Sequence, residues 1–223
     1  MICASITENR LGDMVRLANS SNADLVELRL DYVSDIDEIS QIGKIEKPVI
    51  VTCMPRWEGG NFDGSDEKRI NILLKALDFS EYITVELMTE KRLRDGLIER
   101  ARENNKKVIL SYHDFNGTPP INKILEILER ERGEGADIAK VAFMPRNYED
   151  VLEVMRALVI KKNDNKFGIP IIAVSMGEIG KVSRILAPIL GSYLTYASIE
   201  KGRESAPGQL TVNELRQILR ILK

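Results

Sequence analysis

Residues 82–113 are YITVELMTEKRLRDGLIERARENNKKVILSYH. They contain one copy of the pattern that determines the fold of this chain. The segment begins with a short apolar run, continues with a longer stretch whose apolar residues recur every three or four positions, and ends with a second short apolar run. The outer runs are typical of buried β-strands, and the middle stretch predicts a helix with one buried face. Strands that are joined through a helix run in the same direction, so the segment predicts a parallel βαβ unit.

The same alternation continues along the whole chain of 223 residues. The strand candidates are ICASI (2–6), DLVELRLDY (24–32), PVIVTCM (48–54), YITVEL (82–87), KVILSYH (107–113), IAKVAFM (138–144), PIIAVSM (170–176) and YLTYASI (193–199). Eight strands, each followed by a helix, predict an α/β protein with a closed (β/α)8 TIM barrel, in a single domain over residues 1–223. An open doubly wound sheet is the alternative, but no GxGxxG motif follows the first strand.

The composition of the chain limits the kinds of partner that the protein is expected to bind. The 32 basic and 34 acidic residues form no block of like charge, which predicts no nucleic-acid partner and no membrane partner. The apolar runs are too short to cross a bilayer, and the first ten residues lack the pattern of a signal peptide. Cys3 and Cys53 lie in strand-like runs and predict buried free thiols, which fits a cytoplasmic location. The possible ligand residues do not have the sequence spacing of a metal site, so no metal is predicted.

The second strand carries charges on one face. Its apolar side chains alternate with charged ones. This alternation predicts that Val26, Leu28 and Leu30 pack under the helices. Glu27, Arg29 and Asp31 are then expected to point at the barrel axis. Charges inside a barrel are costly unless they are paired or used. An internal pair between Glu27 and Arg29 is the structural alternative to a role in ligand binding.

The sixth strand is apolar except for Lys140. Burial of an ammonium group costs several kcal/mol and favours the neutral amine. A neutral amine is the form that a Schiff-base nucleophile needs. A structural lysine paired with Glu27 or Glu86 is the alternative.

The only histidine of the chain, His113, ends the fifth strand. Active sites of β/α barrels lie at the carboxyl ends of the strands, and the fifth and sixth strands of such a barrel are neighbours. His113 and Lys140 are therefore expected to approach each other, as an acid/base group beside an amine nucleophile. A histidine held in the core or in a loop for structural reasons is the alternative.

Three further segments contain candidate polar groups. SMGEIGKVSR (175–184) places Arg184 on the helix after the seventh strand, and GRESAPGQ (202–209) has the composition of a lid. RWEGG (56–60) places Glu58 after the third strand. A solvated arginine, a surface connection and an ordinary turn are the corresponding alternatives.

Six stretches in this order resemble the type I 3-dehydroquinate dehydratases of the shikimate pathway. They are ELRLD (27–31), VTC with EGG (51–60), SYHDF (111–115), DIAKVAFMP (137–145), SMGEIGKVSR (175–184) and SAPGQ (205–209). The resemblance spans nearly the whole chain. It implies a hydro-lyase of chorismate and aromatic amino-acid biosynthesis that converts the small molecule 3-dehydroquinate to 3-dehydroshikimate. It also implies a homodimer that uses no cofactor other than its own lysine.

The resemblance assigns chemical roles. Lys140 would form an imine with the C3 ketone of the substrate, and His113 would transfer protons. Glu58 matches the carboxylate that orients the histidine of the family, although strand parity alone nominates Glu86. Residues that match substrate contacts of the family are Glu27 and Arg29 for the ring hydroxyls, Arg184, Ser205 and Gln209 for the carboxylate, and Ser5 for a further polar contact.

The chain departs from the family after the third strand. The family usually has an arginine two residues after the threonine of that strand, whereas Thr52 is followed by Cys53 and Met54. Arg56 lies two positions further and is expected to supply the missing guanidinium. The segment between Tyr196 and Ser205 is also about two residues longer than the resemblance predicts.

Two other functions fit a barrel with a buried lysine. One is another class I Schiff-base lyase, such as an aldolase that acts on sugar phosphates, but SMGEIG and SAPGQ offer no glycine-rich phosphate site. The other is a barrel without catalysis that only binds a ligand or forms oligomers. The combination of Lys140, His113 and Glu58 argues against it.

Overall fold

The computed structural model describes residues 1–222 and contains eight parallel strands in one sheet. The strands are β1 (Ile2–Ile6), β2 (Leu25–Arg29), β3 (Val49–Thr52), β4 (Tyr82–Glu86), β5 (Lys107–Asp114), β6 (Ile138–Phe143), β7 (Ile171–Ser175) and β8 (Thr195–Ser198). Each of them lies within, or one residue beyond, a run that the sequence predicts as a strand.

The helices form the outer layer. They are α1 (Leu11–Ser20), α2 (Asp66–Ala76), α3 (Lys91–Glu103), α4 (Ile121–Gly133), α5 (Tyr148–Lys162), α6 (Gly177–Gly180), α7 (Ser183–Leu190) and α8 (Val212–Ile221). Sequence-local caps fix several of their starts. The Thr211 hydroxyl accepts the backbone N–H of Glu214, and the Glu214 carboxylate accepts the backbone N–H of Thr211 at 2.9 Å. This capping box satisfies N–H groups that the first turn of α8 leaves free.

The expectation of a helix after every strand is wrong after β2. The connection to β3 forms 3-10 turns at Leu30–Tyr32 and Ile39–Lys44. Its isoleucines lie three residues apart and pack against the core at Ile36, Ile39, Ile42 and Ile45. A repeat of three matches the 3-10 helix, whose turns contain 3.0 residues, better than the α-helix. After β7 the chain instead forms two helices, α6 and α7.

The sheet closes almost completely into a barrel. The strands follow the order β7-β6-β5-β4-β3-β2-β1-β8, so β1 pairs with both β2 and β8. The two ends of the sheet meet where the Tyr193 N–H donates to the Ile171 carbonyl at 2.7 Å. This arrangement confirms the single (β/α)8 barrel.

The two faces of the sheet pack differently. Val26, Leu28 and Leu30 join the apolar layer under the helices, as strand parity predicts. A smaller apolar cluster fills the barrel interior and includes Cys3, Leu25, Ile50, Ile109, Ile138 and Ile172. Buried polar side chains follow these residues toward the carboxyl ends of the strands, at Glu27, Thr52, Glu86, Ser111 and Lys140. The apolar cluster is therefore the floor of the polar site.

Three properties of the described residues concern the predictions made from composition: the state of the two cysteines, the length of the helices and the grouping of possible metal ligands. Cys3 and Cys53 are both buried free thiols. Among residues 1–222, no helix combines the length and the apolar character that a membrane crossing requires. The same residues contain no group of three or more His, Cys, Asp or Glu placed to hold a metal ion.

Candidate active site

A cavity that is open to solvent at its mouth lies at the carboxyl ends of the strands. Its lining includes strand residues Glu27, Arg29, Thr52, His113, Lys140 and Tyr196, and residues of the following segments, Met54, Phe115, Met176, Arg184, Ser205 and Gln209. The position matches that of ligand sites in barrels of this type.

Lys140 lies in the middle of β6 with its side chain 8% exposed. Its Nζ is 4.0 Å from Glu27 Oε1 and 4.4 Å from the centroid of the Tyr196 ring. Glu27 is also bound by hydroxyl donors, Ser5 Oγ at 2.6 Å and Thr52 Oγ1 at 2.9 Å. The contact with Glu27 is thus at the outer limit of an ion pair, and the amine faces the cavity.

His113 lies beside Lys140 on the neighbouring strand. In the β5–β6 ladder His113 is opposite Ala142, and Ser111 is opposite Lys140. His113 Nδ1 is 2.9 Å from Glu58 Oε2. Glu58 belongs to the 3-10 turn Arg56–Glu58, which follows β3.

The charge state of His113 follows from its surroundings. Burial lowers the pKa of His113 well below its usual value, and the positive charges of Lys140 and Arg29 lower it further. Burial raises the pKa of Glu58, and the charge of Glu86 adds to this increase. A neutral imidazole with its proton on Nδ1 donates to Glu58 and keeps the Nε2 lone pair available to accept a proton. In this tautomer His113 has the form of a general base.

The two arginines of the cavity differ in their partners. Arg29 is neutralised by Asp31, to which its Nε and Nη2 donate at 2.8 and 2.6 Å. Arg184 is buried and donates to two carbonyl groups, those of Tyr196 at 3.4 Å and Pro207 at 3.1 Å. Burial lowers the pKa of Arg184 to about 10. Among the described residues Arg184 has no carboxylate partner, so the cavity suits an anionic group of a ligand.

The loop after β8 closes one side of the cavity. The Ser205 N–H donates to Gln209 Oε1 at 2.9 Å, and Gln209 Nε2 donates to Ser205 Oγ at 2.9 Å. The Gly177 N–H donates to the Pro207 carbonyl at 3.1 Å, which joins the loop to the start of α6. These bonds place Ser205 and Gln209 beside Arg184.

Comparison with known proteins agrees with this geometry. The family model described as Type I 3-dehydroquinase matches residues 2–223. The chain belongs to the type I 3-dehydroquinase family. Members of this family are hydro-lyases, so the chain is a lyase.

Individual relatives cover the whole chain. The 3-dehydroquinate dehydratase of Methanococcus maripaludis is 37% identical over 227 residues, which are 100% of both chains. The 3-dehydroquinate dehydratase structure from Geobacillus kaustophilus is similar with a TM-score of 0.90 and 27% identity, and the match covers 99% of this chain and 90% of that one. A type I 3-dehydroquinate dehydratase structure from Clostridium difficile with covalent modified comenic acid has a TM-score of 0.88 and 29% identity, covering 99% and 91%.

Three residues that the family resemblance nominates, Glu58, Arg56 and Ser5, lie outside the cavity lining. Glu58 is buried and is linked to the cavity through His113. Arg56 is exposed and pairs with Asp63 at 3.2 Å, so its guanidinium does not line the cavity in this structure. The turn after Pro55 directs Glu58 inward and Arg56 outward, and Met54 forms the cavity wall instead. Ser5 is buried, and its hydroxyl donates to the Glu27 carboxylate, which lines the cavity.

The structure also places residues that sequence reasoning did not nominate. The Tyr196 ring covers the Lys140 amine. Its neighbour Ala197 belongs to the apolar layer under the helices, so strand alternation indicates that Tyr196 points inward. Glu86, the alternative partner of His113 and Lys140, pairs instead with Arg69. Arg69 lies on α2, and no feature of its sequence neighbourhood predicts that contact.

Proposed function

We propose that this chain converts 3-dehydroquinate to 3-dehydroshikimate through an imine on Lys140, with His113 as the general acid and base. The observation that carries the proposal is the presence of a buried amine and a neutral, Glu58-bound imidazole in one cavity. An imine-forming lysine needs a low-polarity environment and a nearby group that moves protons. The relative from Clostridium difficile, with its covalent modified comenic acid, supports covalent chemistry in this family.

The reaction then follows from the positions of these groups. The Lys140 amine adds to the C3 ketone, and with one proton taken from solvent the ketone oxygen leaves as water, which gives an iminium ion. His113 Nε2 accepts a proton from C2, and the electron pair of that C–H bond forms an enamine. The enamine expels the C1 hydroxyl, which takes the proton from His113 and leaves as water. Hydrolysis of the remaining iminium ion releases the product, returns the proton to solvent and restores the Lys140 amine.

The other cavity residues hold the substrate in this scheme. Arg184 pairs with the substrate carboxylate, and its lack of a carboxylate partner among the described residues supports this role. Ser205 and Gln209 lie beside it in the loop after β8. Glu27 and Arg29 contact the ring hydroxyls from β2, and Asp31 keeps the Arg29 guanidinium in place.

Reduction of the imine tests the proposal. Borohydride added with 3-dehydroquinate is expected to leave a covalent adduct on the tryptic peptide that contains Lys140. Lys140→Ala is expected to abolish formation of the conjugated enoate product while the far-UV circular dichroism stays unchanged. Lys161 is the matched control, because its side chain is also largely buried, at 10% exposure, but is paired with Glu129 outside the cavity. Lys161→Met should keep both the adduct and the activity.

The outcomes separate the alternatives. An adduct on another lysine, or wild-type rates in Lys140→Ala, would contradict the imine on Lys140. An adduct that forms with a sugar phosphate but not with 3-dehydroquinate would favour an aldolase-like lyase.

We further propose that the enzyme acts in the shikimate pathway as a cytoplasmic homodimer without a cofactor. The family supports the pathway, and the two buried free thiols support a reducing compartment. Sedimentation equilibrium tests the dimer. Activity that survives dialysis against a chelator is the result expected of an enzyme that needs no metal.

A further inference from the structure

Arg69 is a fully buried arginine outside the cavity lining. It lies on α2, and its guanidinium donates to the Cys53 carbonyl at 3.2 Å, the Thr89 hydroxyl at 2.8 Å and Asp66 Oδ1 at 3.0 Å. It also forms an ion pair with the Glu86 carboxylate. Arginine is almost never fully buried unless it is paired. Here the side chain joins α2 to the segments that follow β3 and β4.

One of those segments carries Glu58. Cys53 is the first residue after β3, and the 3-10 turn that ends in Glu58 begins three residues later. Trp57 precedes Glu58 in this turn, and its ring centroid is 6.0 Å from the Arg69 guanidinium carbon. Arg69 therefore contacts the chain at the entry to the turn and again beside Glu58.

Arg69 also controls a charge that faces Glu58. Glu86 is fully buried in β4, opposite Ser111 in the β4–β5 ladder, and within residues 1–222 only one of its carboxylate oxygens has a hydrogen-bond partner. The charge of Glu86 raises the pKa of Glu58, whereas the charges of Lys140 and Arg69 lower it. Other titratable or charged groups that face these carboxylates are His113, Glu131, Asp31, Cys53 and Tyr112, and the charge of Arg29 acts on His113 and Cys53.

We propose that Arg69 is a positioning residue that holds the Glu58 turn and neutralises Glu86, so that Glu58 remains the acceptor for the Nδ1 proton of His113. Arg69 acts on the reaction through Glu58 and does not touch the substrate. The kinetic consequence rests on the proposed function. The protonation state of His113 does not, and it can be measured without substrate.

The single histidine makes this measurement direct. A sample labelled with ¹⁵N-histidine gives one imidazole, that of His113. In the wild type at pH 7, the ¹⁵N shifts are expected to report a neutral ring with the proton on Nδ1. Arg69→Met leaves Glu86 without its cation, so the two carboxylates take up a proton. A protonated Glu58 would donate to Nδ1, and at least half of the ring population should move its proton to Nε2.

Removal of the second charge should reverse this effect. In Arg69→Met/Glu86→Gln neither the cation nor the carboxylate remains, so Glu58 is expected to stay ionised and His113 to regain the Nδ1 proton. In the pH profile of kcat/KM, the low-pH side, or acid limb, should move to higher pH by about 1 unit in Arg69→Met. This is the size expected for the effect on a pKa of losing a nearby opposite charge. The acid limb should return to the wild-type position in the double variant. A purely structural arginine would lower kcat at every pH without this shift.

Arg94 is a matched control. It is also buried, at 2% exposure, and it lies on α3, where it pairs with Glu134 on the outer side of the barrel. Arg94→Met is expected to lower the thermal midpoint of unfolding without changing the His113 tautomer or the acid limb. A tautomer change in Arg94→Met equal to that in Arg69→Met would overturn the proposal.

Further outcomes decide the proposal. A wild-type tautomer and acid limb in Arg69→Met would refute it, as would equal defects in the single and double variants. If Arg69→Met does not fold, Glu86→Gln alone serves as the test, because removal of the Glu86 charge should move the acid limb to lower pH. An unchanged limb in that variant would contradict the proposal. If the wild type does not act on 3-dehydroquinate, the proposed function fails while the tautomer result remains interpretable.

Discussion

Glu131 provides a test of how burial acts on stability. It lies on α4 with no exposed surface, and among the described residues neither carboxyl oxygen has a hydrogen-bond partner. Burial raises the pKa of Glu131 well above its usual value, and the charge of Glu58 raises it further. The folded protein therefore keeps a proton on Glu131 that the unfolded chain releases above about pH 4.3.

The sign of the effect follows from proton counting. Between the pKa of the unfolded chain and the higher pKa of the folded protein, folding binds one more proton. The free energy of unfolding then falls with rising pH by about 1.4 kcal/mol per pH unit for this group. Glu131→Met removes both the proton linkage and the two unpaired oxygens. An unpaired buried polar group costs about 1–3 kcal/mol, so the variant should be more stable by at least this amount at pH 7.

Urea unfolding at pH 5, 6, 7 and 8 measures the difference between the wild type and Glu131→Met. The difference should grow with pH over the range in which Glu131 holds its proton in the folded protein and has lost it in the unfolded chain. Titration of the other groups cancels in the subtraction. Glu131→Gln is the control, since the amide removes the titration but keeps unpaired polar atoms. It should flatten the pH dependence and raise the stability less than Met. A difference that is constant with pH, or a Met variant that is less stable at every pH, would refute the reasoning.

Two further variants test the cavity and its loop. Arg184→Met should raise KM by roughly 10- to 100-fold with a smaller effect on kcat, because a hydrogen bond to a charged group contributes about 1.5–3 kcal/mol; an unchanged KM would argue against the carboxylate contact. Gly208→Ala should lower kcat/KM at least tenfold, because its Cβ would lie 2.1 Å from the Gly177 carbonyl oxygen and would force the loop away from α6. Gly202→Ala, at a similar positive φ of 84° but with no atom within 4 Å, is the control and should keep most of the activity.

The strands and the direction of their side chains could be predicted because both depend on local periodicity. Alternation along β2 placed Val26, Leu28 and Leu30 under the helices, and the structure confirms it. Between β2 and β3 the isoleucines recur every three residues, which matches the 3-10 turns found there and not the predicted helix after β2. The structural alternative of an internal pair between Glu27 and Arg29 is not what forms, because the turn Leu30–Tyr32 brings Asp31 to the Arg29 guanidinium.

The candidate site also contains residues that the sequence could nominate and contacts that it could not predict. Lys140 and His113 could be nominated because a lone lysine in an apolar strand and a lone histidine at a strand end are visible in the sequence, and neighbouring strands must bring them together. The outward direction of Arg56 and the choice of Glu58 as the partner of His113 depend on the path of one short turn after Pro55. Strand parity does not extend into a turn, so it had nominated Glu86.

The sequence by itself therefore determined the eight strands, their parallel order, the inward faces and the pairing of Lys140 with His113 in one cavity. Only the tertiary structure decided which charges neutralise each other. Arg69 meets Glu86 across 17 positions of the chain, and Glu58 meets His113 across 55. Periodicity is a property of consecutive residues, whereas an ion pair depends on the distance between side chains that different elements bring together. The choice of partner for the base beside Lys140 is for this reason a property of the folded barrel.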